Sequence, residues 1–236
     1  MRRFECQLAY ILHTRPYRET SFLCELFTVD YGRISVVAKG VRRAKSRGRG
    51  LLQPFIPLMI SCVGRGPLLT LTDFDAVGVA PMLTGRRVVS AFYLNELLFR
   101  LIHHEDPNPD LFFCYQAALS ELEKTMEVQI VLRLFEKSLL KMLGYELQLV
   151  KEVGTGKPLN PEGVYRFDPA SGPVLVETGD LAIGVKSQDV FKGKSLLALA
   201  AGVLNDIAVL GDLKRLMRLA LAPHLGSKPL ESRKLL

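Results

Sequence analysis

The chain has 236 residues, 48% hydrophobic and 23% charged, which suits one large or two small folded domains and excludes a largely disordered chain. Its net charge of +7 is concentrated at the front: residues 1–80 carry 12 Lys/Arg against 6 Asp/Glu, residues 81–150 carry 7 against 9, and residues 151–236 carry 12 against 9. A polyanion is the natural partner of that first third.

In the opening MRRFECQLAYIL, Phe4, Cys6, Leu8, Tyr10 and Leu12 alternate with mostly polar neighbours, the period of a strand. SFLCELFTV (21–29) reads as a second strand, Asp30-Tyr31-Gly32 as a turn, and RISVVAKG (33–40) as a third strand. PFIPLMISCV and LLTLTDFDAV, split by Gly64-Arg65-Gly66-Pro67, complete five strands in about eighty residues, which suits an oligonucleotide-binding (OB) barrel over residues 1–80. From residue 81 onward the period becomes helical. Helices are predicted over 88–104, from Asp110 as N-cap to Lys124, and over 127–143 with Gly144 as the stop. Residues 151–184 are rich in Gly and Pro, with a short hairpin in VYRFDPASGPVLVE, and helices return over 195–206 and 212–226 before a basic tail. The fold class expected is α+β: a five-stranded OB-fold barrel followed by a mainly α-helical domain over residues 81–236.

The four cysteines, Cys6, Cys24, Cys62 and Cys114, form no CxxC pair, so buried reduced thiols in a reducing cytoplasm are expected. No signal peptide and no membrane span is read from the sequence. Two fragments resemble phosphate loops and fail: GTGKP places Pro158 where a hydroxyl belongs, and KGKS has Gln188 in place of the first glycine. His103 and His104 are adjacent and point about 100° apart on a helix, so they do not grip one metal. Asp73 and Asp75 share a strand face without a further ligand nearby. No catalytic residue, metal site or cofactor is predicted.

What remains is AKGVRRAKSRGRG (38–50), with Lys39, Arg42, Arg43, Lys45, Arg47 and Arg49 and no acidic residue. Such a segment attracts phosphates and releases counterions, and arginine suits bidentate phosphate contact. Arg15, Arg18, Arg33 and Arg65 are candidate helpers, and Lys214, Arg215 and Arg218 a candidate second patch. Tyr10, Tyr17, Tyr31 and Phe27 are the nearby aromatics available for base stacking. A protein-assembly adaptor and an RNA-binding barrel are rival readings of the same basic face.

Several segments together resemble the RecO family of bacterial recombination mediators: LHTRPYRETS (12–21), FTVDYGRISVVAKGVRR (27–43), LLQPFIPL (51–58), YLNELL (93–98), the Leu111 to Tyr115 stretch, LRLFEKSLLKMLGY (132–145) and the closing LGSKPLESR (225–233). The resemblance spans nearly the whole chain. It implies an OB-fold domain and a helical domain that bind single- and double-stranded DNA and anneal complementary strands. It also implies binding of the acidic C-terminal tail of single-stranded-DNA-binding protein, and action with RecR to load RecA. Many members carry a four-cysteine zinc ribbon after the Leu-Gly-Tyr segment; here LQLVKEVGTGKPLNPEG has no cysteine, so this chain resembles the zinc-free branch. A receptor for a peptide carboxylate needs a cation beside an apolar pocket, and Arg133 with Tyr115, Leu132 and Leu139 is the candidate.

Overall fold

The structure, a computed structural model, describes residues 2–43, 46, 48–176 and 189–234. Lys45, Arg47 and Gln188, and the side chain of Arg49, lie outside the described residues. The chain divides into two compact units, residues 1–126 with 229–236 and residues 127–228.

In the first unit, β1 (Arg2–Tyr17), β2 (Ser21–Thr28), β3 (Gly32–Ala38), β4 (Leu58–Gly64) and β5 (Leu68–Ala76) close a barrel in the order β1-β2-β3-β5-β4. The long β1 serves two neighbours. Its first half pairs with β4 from Arg2↔Gly64 to Ala9↔Leu58, and its second with β2 from Ala9↔Thr28 to Tyr17↔Ser21. Closure comes from the parallel pairing of Ser35 to Val37 with Leu68 to Thr70. Ala9, Ile11, Leu26, Ile34, Val36, Leu58, Ile60 and Leu69 fill the interior, each large aliphatic among them contributing about 2 kcal/mol of burial free energy. A short helix, α1 (Gly48–Leu51), lies between β3 and β4.

The alternation read from the first strand changes phase partway. A bulge separates Phe4 from Gln7, and Cys6 within it has φ 49. One extra residue sends the following side chains to the opposite faces, so Ala9 and Ile11 point inward and Tyr10 and Leu12 point out. Cys6 is consequently exposed, against the expectation of a buried thiol, and Cys114 is half-buried. Cys24 and Cys62 are buried, and burial pushes their thiols up to about 12 and about 11.

The outward aromatics are buried by two helices, α2 (Arg86–Leu101) and α3 (Pro109–Lys124). Phe112 lies 5.5 Å from Tyr10 and 5.4 Å from Phe27, and Tyr115 lies 5.2 Å from Tyr10. That is why compact packing places both helices with the barrel, although the strands give way to helix near residue 80. The cap of α3 is Asn108, not Asp110: its side chain accepts from the Leu111 N–H at 2.9 Å, with Pro109 at the first helical position.

At the centre of this packing, Asn95 of α2 donates from Nδ2 to the carbonyls of Ile11 and Leu12, both at 3.1 Å. The β1–β2 register skips Leu12 through an irregularity between Ile11 and His13. Tyr115 Oη donates in turn to Asn95 Oδ1. The C-terminal residues close on the same helix: Leu230 is buried, and Glu96 accepts from the backbone N–H groups of Glu231 (2.8 Å) and Ser232 (2.9 Å) and from the Ser232 hydroxyl. Residues 230–232 of the basic tail are thus docked on α2.

The second unit holds α4 (Val128–Met142), the strands β6 (Val164–Asp168), β7 (Gly172–Leu175) and β8 (Val190–Lys192), and the helices α5 (Gly193–Ala201) and α6 (Ile207–Leu225). Gly144, at φ 85, ends α4 with Gly144 N–H on the Lys141 carbonyl (3.0 Å) and Tyr145 N–H on the Leu140 carbonyl (2.8 Å). The expected hairpin is β6–β7, turned by Asp168, whose carboxylate accepts from Ala170 N, Ser171 N and Ser171 Oγ. A third strand, β8, pairs with the other edge of β6, beyond the hairpin the sequence shows. Backbone bonds tie the loop after α4: Glu152 N–H to the Lys157 carbonyl and Leu159 N–H to the Val150 carbonyl. The KGKS fragment begins α5, but the N–H groups of Gly193 and Lys194 already bond the carbonyls of Gly163 and Pro161, and the Ser195 hydroxyl donates to Asp212. The final helix begins at Ile207, earlier than residue 212, because Asp206 caps it by accepting from Ala208 N–H at 2.8 Å.

Replacing Asn95 with Ala leaves two buried carbonyls and the Tyr115 hydroxyl without this partner; equilibrium urea unfolding is expected to show a loss of about 3 kcal/mol, and Tyr115→Phe a smaller loss. Burial alone raises the Glu96 carboxyl, but the Ser232 and Glu231 hydrogen bonds outweigh it and hold the group below its ordinary value. Its contribution is therefore present above the unfolded glutamate pKa of about 4.3 and is lost as pH falls through the lowered value. The Ser232 amide resonance should report this acid transition, and Glu96→Gln should abolish it.

Candidate nucleic-acid interface

Four of the predicted cations converge at one end of the barrel. Arg18 sits in the β1–β2 turn at φ 52 with its guanidinium 5.3 Å from the Tyr17 ring centroid. Arg42 follows β3 and is bonded to that turn: its N–H donates to the Thr20 carbonyl (2.9 Å), and Nη1 to the carbonyls of Arg18 (3.2 Å) and Glu19 (3.3 Å). The same guanidinium lies 5.9 Å from the Phe22 ring centroid. Lys39, Arg42, Arg43 and Arg18 are all exposed. The basic segment is therefore anchored at its start, with its cations held beside those of the turn.

An open groove of about 630 Å³ lies on the barrel surface. Arg15 and Arg2 border it, Leu23, Leu68 and Pro67 supply apolar wall, and Arg65 is exposed in the β4–β5 turn that contributes Gly66 and Pro67. Its polar lining was not anticipated from the sequence. The Ser35 hydroxyl donates to Glu25 Oε1 at 2.5 Å and lies 3.0 Å from His104 Nε2. Arg2 Nη1 donates to Glu105 Oε1 at 2.8 Å, and that bond holds the Glu105 carboxyl below its ordinary value. His104 and Glu105 reach the groove because the chain after α2 runs alongside β3, with Glu105 N–H on the Arg33 carbonyl at 2.8 Å. Gly32 makes room for it: its φ is 65, and a Cβ there would stand 2.1 Å from the Asp106 carbonyl oxygen. The only sequence sign of this lining is Glu25, a lone charge in the apolar run SFLCELFTV.

Other predicted residues have different work. Arg33 Nη1 donates to the Phe99 carbonyl, and the guanidinium lies 5.1 Å from the Phe99 ring centroid. It satisfies one of the last carbonyls of α2 and places a positive charge at that helix end, so it acts as a brace. Arg215 is also a brace, bonded to Asp212 Oδ1 (2.8 Å) and the Val190 carbonyl (3.2 Å) over the Phe191 ring. Of the candidate second patch, Arg218 is exposed and Lys214 half-buried. Tyr10 and Phe27 are core residues and Tyr31 stacks on Phe4 at 4.0 Å, which leaves half-buried Tyr17 nearest the cationic end.

The candidate peptide-tail residues are buried side chains. Tyr115 belongs to the first unit and Leu132, Arg133 and Leu139 to the second, and all four are buried. Arg133 Nη2 pairs with Glu136 Oε1 at 2.9 Å within its own helix, so the guanidinium neutralises a buried carboxylate and does not face solvent. Among the described residues, no group of three or more His, Cys, Asp and Glu side chains is placed to hold a metal ion, and no helix is long and apolar enough to cross a membrane.

A closed five-stranded barrel in this strand order, with a cationic rim and helices packed on its outer face, defines an OB-fold protein with a helical extension. Family models agree with that class: Recombination protein O N terminal matches residues 1–79 and Recombination protein O C terminal matches residues 82–234. The chain is 50% identical over 234 residues to the DNA repair protein RecO of Nitrosococcus oceani, covering 99% of this chain and 93% of that protein. It is 43% identical to the DNA repair protein RecO of Coxiella burnetii, covering 100% and 99%, and 42% identical to that of Haemophilus influenzae, covering 98% and 95%. The chain belongs to the RecO family of DNA repair and recombination proteins.

Because Arg33 braces a helix end, Arg33→Ala should lower the unfolding midpoint and leave the salt dependence of oligonucleotide binding unchanged, as measured by denaturant melts and fluorescence anisotropy on the same preparations.

Proposed function

We propose that this chain is a recombination mediator of the cytoplasm that binds single- and double-stranded DNA through the cationic end of its barrel, anneals complementary strands, and has no catalytic step of its own. The observation that carries this reading is the bonded approach of Arg42 to the β1–β2 turn, which holds Arg18, Lys39, Arg42 and Arg43 as one exposed cluster on an OB barrel. Lys45, Arg47 and Arg49 extend the same run of sequence, Arg15 borders the groove, and Arg65 is exposed in the β4–β5 turn.

The physics of annealing fits such a cluster. Two phosphate backbones repel each other, and cations that displace condensed counterions lower the cost of bringing them together without choosing a sequence. Arginine adds planar donor pairs for phosphate oxygens. Family membership supports the protein partners: the acidic C-terminal tail of single-stranded-DNA-binding protein would bring the chain to coated strands, and RecR would act with it in loading RecA at gaps and breaks. The tail carries a carboxylate that must be paired when partly buried.

Titrating labelled oligomers at several salt concentrations tests the phosphate contacts. Each lost phosphate contact lowers the slope of log K against log salt by about 0.7 for single strands. Replacing Lys39, Arg42 and Arg43 with Ala should therefore reduce it by about two units and slow annealing of complementary strands. A Lys39/Arg43 double variant, which leaves the turn bonds of Arg42 in place, should reduce it by about 1.4. An unchanged slope in both would remove the cluster from the interface, and equal binding of oligomers of any length would favour a protein-assembly adaptor. A preference for RNA of the same sequence would favour an RNA-binding role.

A further inference from the structure

We infer that the groove beside the cationic end is a subsite for one unpaired nucleobase, and that it selects bases bearing an exocyclic amino group over thymine. The inference rests on the proposed DNA-binding reading and deepens it by assigning the groove a ligand different from phosphate. Charge is the first reason. The guanidinium of Arg2 is paired with the carboxylate of Glu105, and Arg15 at the border is balanced by Glu25 in the lining. The groove is close to neutral, whereas the adjoining cluster of Arg18, Lys39, Arg42 and Arg43 has unbalanced positive charge. A phosphate is drawn to the cluster; a neutral polar slot suits a base.

Direction of hydrogen bonding is the second reason. Ser35 has one hydroxyl proton, and it is given to Glu25. The contact between Ser35 Oγ and His104 Nε2 at 3.0 Å is then a bond in which His104 donates. In the neutral ring this leaves Nδ1 as an acceptor, and Glu25 retains acceptor capacity on its carboxylate. The polar lining is therefore acceptor-rich. Cytosine and adenine present amino donors, while the same edge of thymine carries carbonyl oxygens that oppose a carboxylate. A carboxylate accepting from the cytosine amino group is an established kind of base contact.

Shape and access supply the third reason. A volume of about 630 Å³, walled by Leu23, Leu68 and Pro67, is ample for one base with apolar contact on its faces. In duplex DNA the amino group is paired and the base faces are stacked, so only a single strand can place a base here. Arg15 lies near the end of β1 and Arg18 three residues on, in the turn that follows, at most roughly 10 Å of chain away, so a base in the groove and phosphates on the cluster can come from neighbouring nucleotides of one strand.

The experiment is fluorescence anisotropy of the full chain with equal-length labelled oligo(dC), oligo(dT) and an abasic oligomer at one salt concentration. The native chain should bind oligo(dC) about tenfold more tightly than oligo(dT). Glu25→Gln, whose amide can donate to thymine carbonyls, should bring that ratio to about one, while binding of the abasic strand holds or tightens because Arg15 is no longer offset. Ser35→Ala, which frees Glu25 without removing its charge, should leave an intermediate ratio, and thermal melts of both variants establish that the barrel is folded. Equal affinity of the native chain for oligo(dC), oligo(dT) and the abasic strand overturns the base subsite and leaves phosphate binding standing. A ratio that survives Glu25→Gln also overturns it, and absence of binding to every oligomer sinks both readings.

Discussion

Asn95 holds the two carbonyls of Ile11 and Leu12 at a point where β1 departs from its regular pairing with β2. A buried backbone carbonyl without a partner costs free energy comparable to a lost hydrogen bond, and a side-chain amide arriving from a helix meets that requirement and locates the helix at once. Tyr115 fixes the amide from its other side. With α2 set in this way, the chain that leaves it runs along β3, and His104 and Glu105 arrive at the groove. The polar lining of the candidate site therefore depends on a hydrogen bond made near the middle of a helix whose end reaches it.

Arginine does two distinct jobs in this molecule, and surroundings decide which. Arg33, Arg133 and Arg215 are bonded to carbonyls or carboxylates at helix ends or in buried positions. Arg18 and Arg43 are exposed, and Arg42 uses part of its guanidinium to tie down the turn while remaining at the surface. A guanidinium can serve both purposes because it has five donors in a plane. The outcome is a cationic end whose backbone is held in place, beside a groove in which carboxylates offset the arginines.

The second unit ties down its irregular stretch by main-chain contacts. Its loop between α4 and β6 is closed by backbone hydrogen bonds and docks on β7 through Val153 N–H to the Pro173 carbonyl. Lys137 donates to the carbonyls of Leu199 and Ala200 at the end of α5, and burial lowers its pKa from the usual lysine value. A cation at a helix C-terminus meets both the unsatisfied carbonyls and the negative end of the dipole.

The local pattern of residues determined much of this protein. Strand periods, the Asp30 to Gly32 turn, the helix stop at Gly144 and the hairpin through Asp168 all follow from short-range geometry and turn chemistry, and the basic segment is visible as composition alone. The tertiary structure decided what depends on contacts between distant residues. The bulge at Cys6 reversed the facing of β1 because a strand's side-chain period has no memory across an inserted residue. The helices α2 and α3 joined the barrel because Tyr10 and Phe27 needed cover on the outer face. Arg33 and Arg133 became braces because a carbonyl or carboxylate stood within reach, and Glu25, Ser35, His104 and Glu105 gathered in one groove from three separated stretches of chain. A cation's sign is written in the sequence; whether it is neutralised is a matter of which neighbour the fold brings to it.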